Sequence, residues 1–299
     1  MQAYIDYSAE VQKALLDNKP ILALESTLLT HGLPFPHNVE LAKTIEEDVR
    51  KHKVVPAIIA LMKGKIKIGL NHHELETLIH DANIIKASRR DIAFVLSQGL
   101  NAGTTVSATL FCAHLASIKV FATGGIGGVH RGDTQDISAD LIELARTPIA
   151  VICAGAKAIL DLPKTLELLE TLSIPVIGYQ TTTFPAFYTA TTSYLLSTHI
   201  TDIYALGYLL KTHFSLKMSS GCLIGNPIPS QDEIKKEVIE PIITKALKTA
   251  EQQHITGKAI TPFLLKEIAH HTEGKSLKAN ISLIKNNVEL GAKLAALLS

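Results

Sequence analysis

Lys157 and Glu25 are the two side chains of this sequence best placed for covalent chemistry. Lys157 follows the apolar run Ile149 to Cys153 and the small turn Ala154-Gly155-Ala156. A lysine amine attacks carbon only when neutral, and desolvation or a neighbouring cation favours that form. The same position also suits an ordinary surface lysine at a helix start. Glu25 ends the apolar run Ile21 to Leu24, where burial of a carboxyl favours its protonated form and proton transfer. Capping of a turn would use the same residue.

Other residues could hold an anion or a cation beside them. The run Gly124-Gly125-Ile126-Gly127-Gly128 lets backbone N–H groups approach a phosphate through tight turns or positive φ, and it equally suits a structural turn. It lacks both the dinucleotide-binding spacing, since His130 stands at the third glycine position, and the Gly-Lys-Ser/Thr of a P-loop. Ser138, followed by Ala139 and Asp140, can cap a helix whose free N–H groups attract phosphate. Asp136 and Asp140, with His130 near them, could instead hold a hard divalent cation. Lys86, Arg89 and Arg90 form a cationic cluster that fits phosphate or a salt-linked turn. His72-His73 and His270-His271 show no metal-ligand spacing.

Apolar runs alternate with segments of helical period, the pattern of an α/β fold with parallel strands and crossover helices. Strands are expected at 21–24, 54–61, 84–85, 118–122 and 149–153. Helices are expected after Ser8, after Asn38, after the Asn71/Glu74 capping pair and over 105–116. The tail from about Ser230 reads as helical, with Ile234, Val238, Ile242, Ala246 and Ala250 on one face and a mainly structural role. Ligands of open parallel sheets bind beyond the carboxyl ends of strands. The loops at Glu25, Gly124 and Lys157 are therefore expected to converge.

The 29 Lys and Arg nearly balance 28 Asp and Glu, which leaves no basic field for nucleic acid or an anionic membrane. A small-molecule substrate is expected. Cys112, Cys153 and Cys222 are odd in number and widely spaced, as suits a reducing cytosol. The opening residues Met1 to Asp6 lack the basic and apolar regions of a signal peptide, so a cytoplasmic location is expected. No linker or repeat divides the chain, and 1–299 reads as a single domain.

Taken together, ALESTLLTHGLPFP (23–36), KASRRD (86–91), ATGGIGGVHRG (122–132), DISADL (136–141) and CAGAK (153–157) resemble the pseudouridine-5′-phosphate glycosidase family, also called the indigoidine synthase A-like family. GYQT, FPAFYT, NPIP, TPFLL and SLKAN extend the resemblance over nearly the whole chain. It implies an α/β/α sandwich with a mostly parallel central sheet, a homotrimer and a bound Mn²⁺. The implied reaction is reversible cleavage of pseudouridine 5′-phosphate to uracil and ribose 5-phosphate, by an enzyme also classed in reverse as a carbon–oxygen hydro-lyase. By the same resemblance Lys157 is the Schiff-base nucleophile and Glu25 the proton donor. Lys86, Val106, Ser138, Ala139, Asp140, His130 and Asn280 contact substrate, and Asp136 holds the metal. The chain departs from the family pattern at the short spacer Asp133-Thr134-Gln135, at Ala158 where serine is usual and at Ala190 where arginine is usual.

A C–C glycoside has no heteroatom leaving group to protonate, so its cleavage needs another electron sink, which a lysine adduct provides. A Schiff-base lyase acting on another sugar phosphate would use the same residues. A silent phosphate-binding module would use the cations without Lys157 reacting.

Overall fold

The computed structural model describes residues 2–132, 135–255 and 257–299, with the side chains of Gln2 and Lys258 excepted. In chain order its strands are β1 (Ile5–Tyr7), β2 (Ile21–Glu25), β3 (Val55–Met62), β4 (Lys65–Ile68), β5 (Ile85–Ala87), β6 (Ala102–Thr104), β7 (Val120–Ala122), β8 (Val129–His130), β9 (Ala150–Cys153), β10 (Leu160–Asp161), β11 (Val176–Tyr179), β12 (Thr198–Ile200) and β13 (Cys222–Gly225). Its helices are α1 (Ala9–Leu16), α2 (His37–Lys51), α3 (His72–His80), α4 (Ile92–Ser97), α5 (Val106–Leu115), α6 (Ala139–Leu144), α7 (Leu162–Thr171), α8 (Ile203–Ser215), α9 (Lys236–Gln252), α10 (Ile260–His271) and α11 (Lys275–Leu298).

The central sheet runs β1-β4-β3-β2-β7-β9-β13-β11-β12, with β6 added beside β3 and β5 beside β6. Its pairs are parallel except β3 with β4 and β3 with β6. Strands β2, β7 and β9 are wholly buried, as continuous apolar runs in a covered parallel sheet must be. Registers Leu24↔Ala122 and Ala122↔Ile152 bring their carboxyl ends level. The three loops that follow therefore leave from one edge.

Helices complete an α/β/α layering. α11 crosses β2, β7 and β9, with α2 and α8 against it, while α5 packs on β2 and β3 with α6 alongside. Gly291 lets α11 lie close to the sheet, since a Cβ there would stand 3.0 Å from Leu22 and 3.1 Å from Ala122. The apolar core is continuous from Val11 to Leu298.

Most expected elements are present, some shifted by one or two residues. Ser8 caps α1, Asn71 and Glu74 form a capping box on α3, and Ser138 caps α6. Asn38 does not cap α2. It lies in that helix's first turn, where its amide donates to the Leu29 carbonyl and braces the preceding turn. In the tail, the buried stripe of α9 is Ile239, Ile243, Ala246 and Ala250, and Val238 is exposed. The expected stripe began one residue early because helix α9 starts only at Lys236, so Ile234 is no part of its periodicity. Asp133 and Thr134 of the short spacer lie outside the described residues.

The fully buried Leu283 of α11 reaches the Gly124 turn. Leu283→Ala is expected to lower unfolding free energy by about 2–5 kcal/mol, measured by urea denaturation.

Candidate active site

The Glu25, Gly124 and Lys157 loops meet at one pocket. It is lined by Glu25, Thr27, Leu28, His31, Lys86, Gly124, Gly125, Lys157 and Phe187, and by Thr261, Pro262, Leu265 and Asn280 from the helical tail. The tail thus supplies a wall of the pocket as well as a cover for the sheet. A roomier groove lies beside β10 and α9, but it holds none of Glu25, Lys86 or Lys157. There Arg131 is ion-paired with Glu240 and donates to the carbonyls of Ala158 and Leu160.

Glu25 is the last residue of β2 and is 6% exposed. Thr27 Oγ1 donates to its Oε2 at 2.6 Å, and Thr123 Oγ1 donates to its Oε1. Both carboxylate oxygens are therefore held by hydroxyls from adjacent strand ends. This fixes the direction in which Glu25 can exchange a proton.

Lys157 is half-buried at the end of the turn after β9. Its N–H donates to the Ile126 carbonyl at 3.0 Å, and Ile126 N–H donates to the Gly155 carbonyl at 3.1 Å. The Gly124 turn and the Lys157 turn are thereby laced together. Gly155 has φ +85°, and a Cβ there would stand 1.9 Å from the Pro185 carbonyl oxygen. Only glycine fits that turn.

None of Gly124, Gly125, Gly127 and Gly128 has positive φ. They are needed for close approach instead. A Cβ on Gly125 would meet the Phe187 ring at 2.6 Å, one on Gly127 Ser138 Oγ at 2.2 Å, and one on Gly128 Thr165 Oγ1 at 2.4 Å. The Gly127 N–H is occupied by Asp140 Oδ2 at 2.8 Å, while Asp140 Oδ1 accepts from Ser107 N–H at 2.9 Å. The buried Asp140 carboxylate therefore ties the glycine turn to α5, and the expected phosphate cradle is in part a self-satisfied turn. Gly124 and Gly125 present the side-chain-free surface to the pocket.

Of the cationic cluster, Lys86 alone lines the pocket. Arg89 is ion-paired with the buried Glu143 at 2.7 Å and stacks over Phe111, and Arg90 is exposed. Of the two readings of the cluster, Arg89 takes the salt-linked one, because it already has a buried carboxylate partner.

Of the remaining expected contacts, Asn280 lines this pocket from α11, and Val106, Ser138, Ala139, His130 and Asp136 are not among its lining residues. Val106 buries its side chain at the first position of α5, so only its backbone could meet a ligand. Ser138 and Ala139 stand at the start of α6, where Ser138 Oγ accepts from Asp140 N–H. His130 Nε2 lies 3.9 Å from Asp136 Oδ2. Burial lowers the pKa of His130, the Asp136 charge opposes this, and the charges of Lys157 and Lys86 add to the lowering.

The imagined cation site of Asp136, Asp140 and His130 is not assembled, since Asp140 is committed to two backbone N–H groups. Among the described residues no group of three His, Cys, Asp or Glu could hold a metal. The exposed Asp136 fits a hard ion that keeps most of its water, as Mg²⁺-like ions do.

Sequence reasoning missed Thr27, Thr123, His31 and the pair Asn226/Asn287. Asn287 is fully buried, and its Nδ2 donates to the Thr123 carbonyl at 2.8 Å and to that of Gly124 at 3.3 Å. Asn226 Nδ2 donates to Asn287 Oδ1 at 3.0 Å. The signal for Asn287 was a polar residue on the apolar face of a long amphipathic helix.

The α/β fold thus sets two lysines and a buried carboxyl around one pocket at the carboxyl edge of its parallel sheet. The chain belongs to the family described as indigoidine synthase A like protein, whose sequence profile matches residues 10–297. It is 54% identical to a pseudouridine-5′-phosphate glycosidase of Caldanaerobacter subterraneus, covering 100% of this chain and 98% of that one. It is 50% identical to the protein of the same name from Geobacillus kaustophilus, with 100% of both chains covered. Among solved structures it superposes on a prealnumycin C-glycosynthase in complex with ribulose 5-phosphate, with TM-score 0.91, 35% identity and coverage of 99% and 97%. It also superposes on an indigoidine synthase A-like protein of Thermotoga maritima, with TM-score 0.90, 34% identity and coverage of 98% and 96%.

His31 lines the pocket with Lys86, and its Nδ1 lies 2.7 Å from Thr30 Oγ1. Burial first and the Lys86 charge second lower its pKa from 6.5, against a backbone hydrogen bond that raises it. Unfolded chain therefore binds this proton more readily, and His31 erodes stability as pH falls through about 6.5. NMR titration is expected to place His31 below 6.5, and to move it upward in Lys86→Ala.

Proposed function

We propose that the protein cleaves the C–C glycosidic bond of pseudouridine 5′-phosphate with water, reversibly, to give uracil and ribose 5-phosphate. One observation carries this reading: Lys157, Lys86 and the buried Glu25 line a single pocket. The full-length relatives named pseudouridine-5′-phosphate glycosidase support it, as does the likeness to a C-glycosynthase solved with a sugar phosphate.

Lys157 Nζ bonds C1′ as the C1′–O4′ bond breaks and O4′ takes a proton. Glu25 then delivers a proton to C5 of the base. The electron pair of the C1′–C5 bond stays with the uracil ring, while the nitrogen lone pair forms the C=N bond of a Schiff base. Water hydrolyses that adduct, releasing ribose 5-phosphate and restoring the amine, and the proton freed in this step returns to Glu25. Lys86 and the start of α6 hold the phosphate, and His130 and Asn280 orient the substrate.

Asp136 would hold Mn²⁺, and the charge of the ion would help to organise phosphate and water near the site. Assembly as a homotrimer, which rests on the family resemblance, and a cytoplasmic location, which rests on the three free cysteines, belong to the same proposal. Among the described residues no helix is long and apolar enough to cross a membrane.

Incubation with pseudouridine 5′-phosphate and Mn²⁺, followed by chromatography, is expected to yield uracil and ribose 5-phosphate in equal amounts. Lys157→Ala should release neither while keeping its circular dichroism, and Glu25→Gln should slow release by about 10²–10⁴-fold. Folded wild type that forms neither product would exclude this substrate.

A further inference from the structure

Glu25 must change protonation state during the proposed reaction, yet it sits almost out of contact with water. A buried carboxyl that gains a proton needs an acceptor for its new O–H, and a hydroxyl that was donating to it loses its own acceptor. The surroundings of Glu25 answer both needs at one residue. Thr27 Oγ1 stands 2.6 Å from Glu25 Oε2 and 3.1 Å from the Thr104 carbonyl oxygen. A hydroxyl carries one proton and so donates to one of these at a time. Thr123 Oγ1, in contrast, has Glu25 Oε1 as its one hydrogen-bond partner among the described residues.

The Thr104 carbonyl belongs to a strand end that is held from several sides. Thr104 N–H donates to Ser26 Oγ at 2.9 Å, and Thr104 Oγ1 donates to the Ile59 carbonyl at 2.6 Å. Ser26 Oγ donates to the same Ile59 carbonyl at 2.6 Å, and Thr109 Oγ1 donates to Thr104 Oγ1 at 2.9 Å. Ser26, Thr104 and Thr109 are fully buried. The second acceptor of Thr27 is thus as fixed as the first.

Resting on the reading of Glu25 as proton donor, we propose that Thr27 is a positioning residue that turns its hydroxyl between two acceptors as Glu25 gains and loses its proton. With Glu25 ionised, Thr27 donates to Oε2. With Glu25 protonated, Oε2–H donates to Thr27 Oγ1, and Thr27 donates to the Thr104 carbonyl. Only hydrogen bonds change, and each state leaves every O–H with an acceptor. For transfer the Oε2–H breaks its bond to Thr27 Oγ1 and the proton passes to C5 of the base, and the Thr27 hydroxyl then turns back and stabilises the new carboxylate.

The test is the infrared C=O stretching band of the protonated Glu25 carboxyl, recorded on acidification and assigned by its absence in Glu25→Gln. Thr27→Val keeps the side-chain shape and removes the acceptor, so the band moves to higher frequency. Thr27→Ser keeps the hydroxyl and holds the band at the wild-type frequency. A Thr27→Val band unmoved from wild type, or a Thr27→Ser band displaced like that of Thr27→Val, would overturn the proposal. With substrate, Thr27→Val is expected to lose about 10- to 100-fold in kcat with little change in KM, and Thr27→Ser to recover most of it. The band reads Thr27 without turnover, so wild type that releases no uracil refutes the glycosidase reading and leaves the Thr27 assignment to the infrared result.

Discussion

The amide of Asn287 reaches from the middle of α11 to the carbonyls of Thr123 and Gly124, and much of the site's geometry depends on that contact. Both carbonyls belong to the turn that leaves β7, and that of Gly124 also accepts from Ala154 N–H at 2.9 Å. Leaving a buried carbonyl such as that of Thr123 unpaired costs about 1–3 kcal/mol. Asn226, anchored by its own N–H to the Cys153 carbonyl, orients the amide through its Oδ1. One side chain thus links the end of β7 to the ends of β9 and β13, and places the Thr123 hydroxyl against Glu25.

The sheet makes that link effective. β2, β7 and β9 are adjacent, parallel and in register, so neighbouring strands deliver Glu25, Thr123 and the Lys157 turn to one edge. The glycines serve this packing by yielding space to Phe187, Ser138, Thr165 and Pro185. Asp140 then fastens the glycine turn to α5 from the other side. Side chains of α10 and α11 complete the pocket wall.

Much of this was legible in the sequence because the relevant signals are local. Apolar runs ending in Glu25, Ala122 and Cys153 announce buried parallel strands, and Asn71 with Glu74 announces a helix start through its own capping chemistry. The convergence of the Glu25, Gly124 and Lys157 loops follows from that pattern alone. The partners that Arg89 and Asp140 take were not legible, because Glu143 and Ser107 lie 54 and 33 residues away. Thr27 and Thr123 were overlooked for a similar reason. A threonine after a strand is unremarkable until tertiary folding sets its hydroxyl against a buried carboxylate. Asn38 shows the converse, since a good capping residue was drawn into the helix by its bond to Leu29.

The central claim is that Lys157 forms a covalent bond to the sugar. Borohydride reduction during incubation with pseudouridine 5′-phosphate, followed by proteolysis and mass spectrometry, reads that bond directly. The account predicts a reduced ribose 5-phosphate adduct on the peptide bearing Lys157 and none in Lys157→Ala. An unmodified Lys157 peptide while uracil is being released, or an adduct on Lys86 in its place, would contradict it.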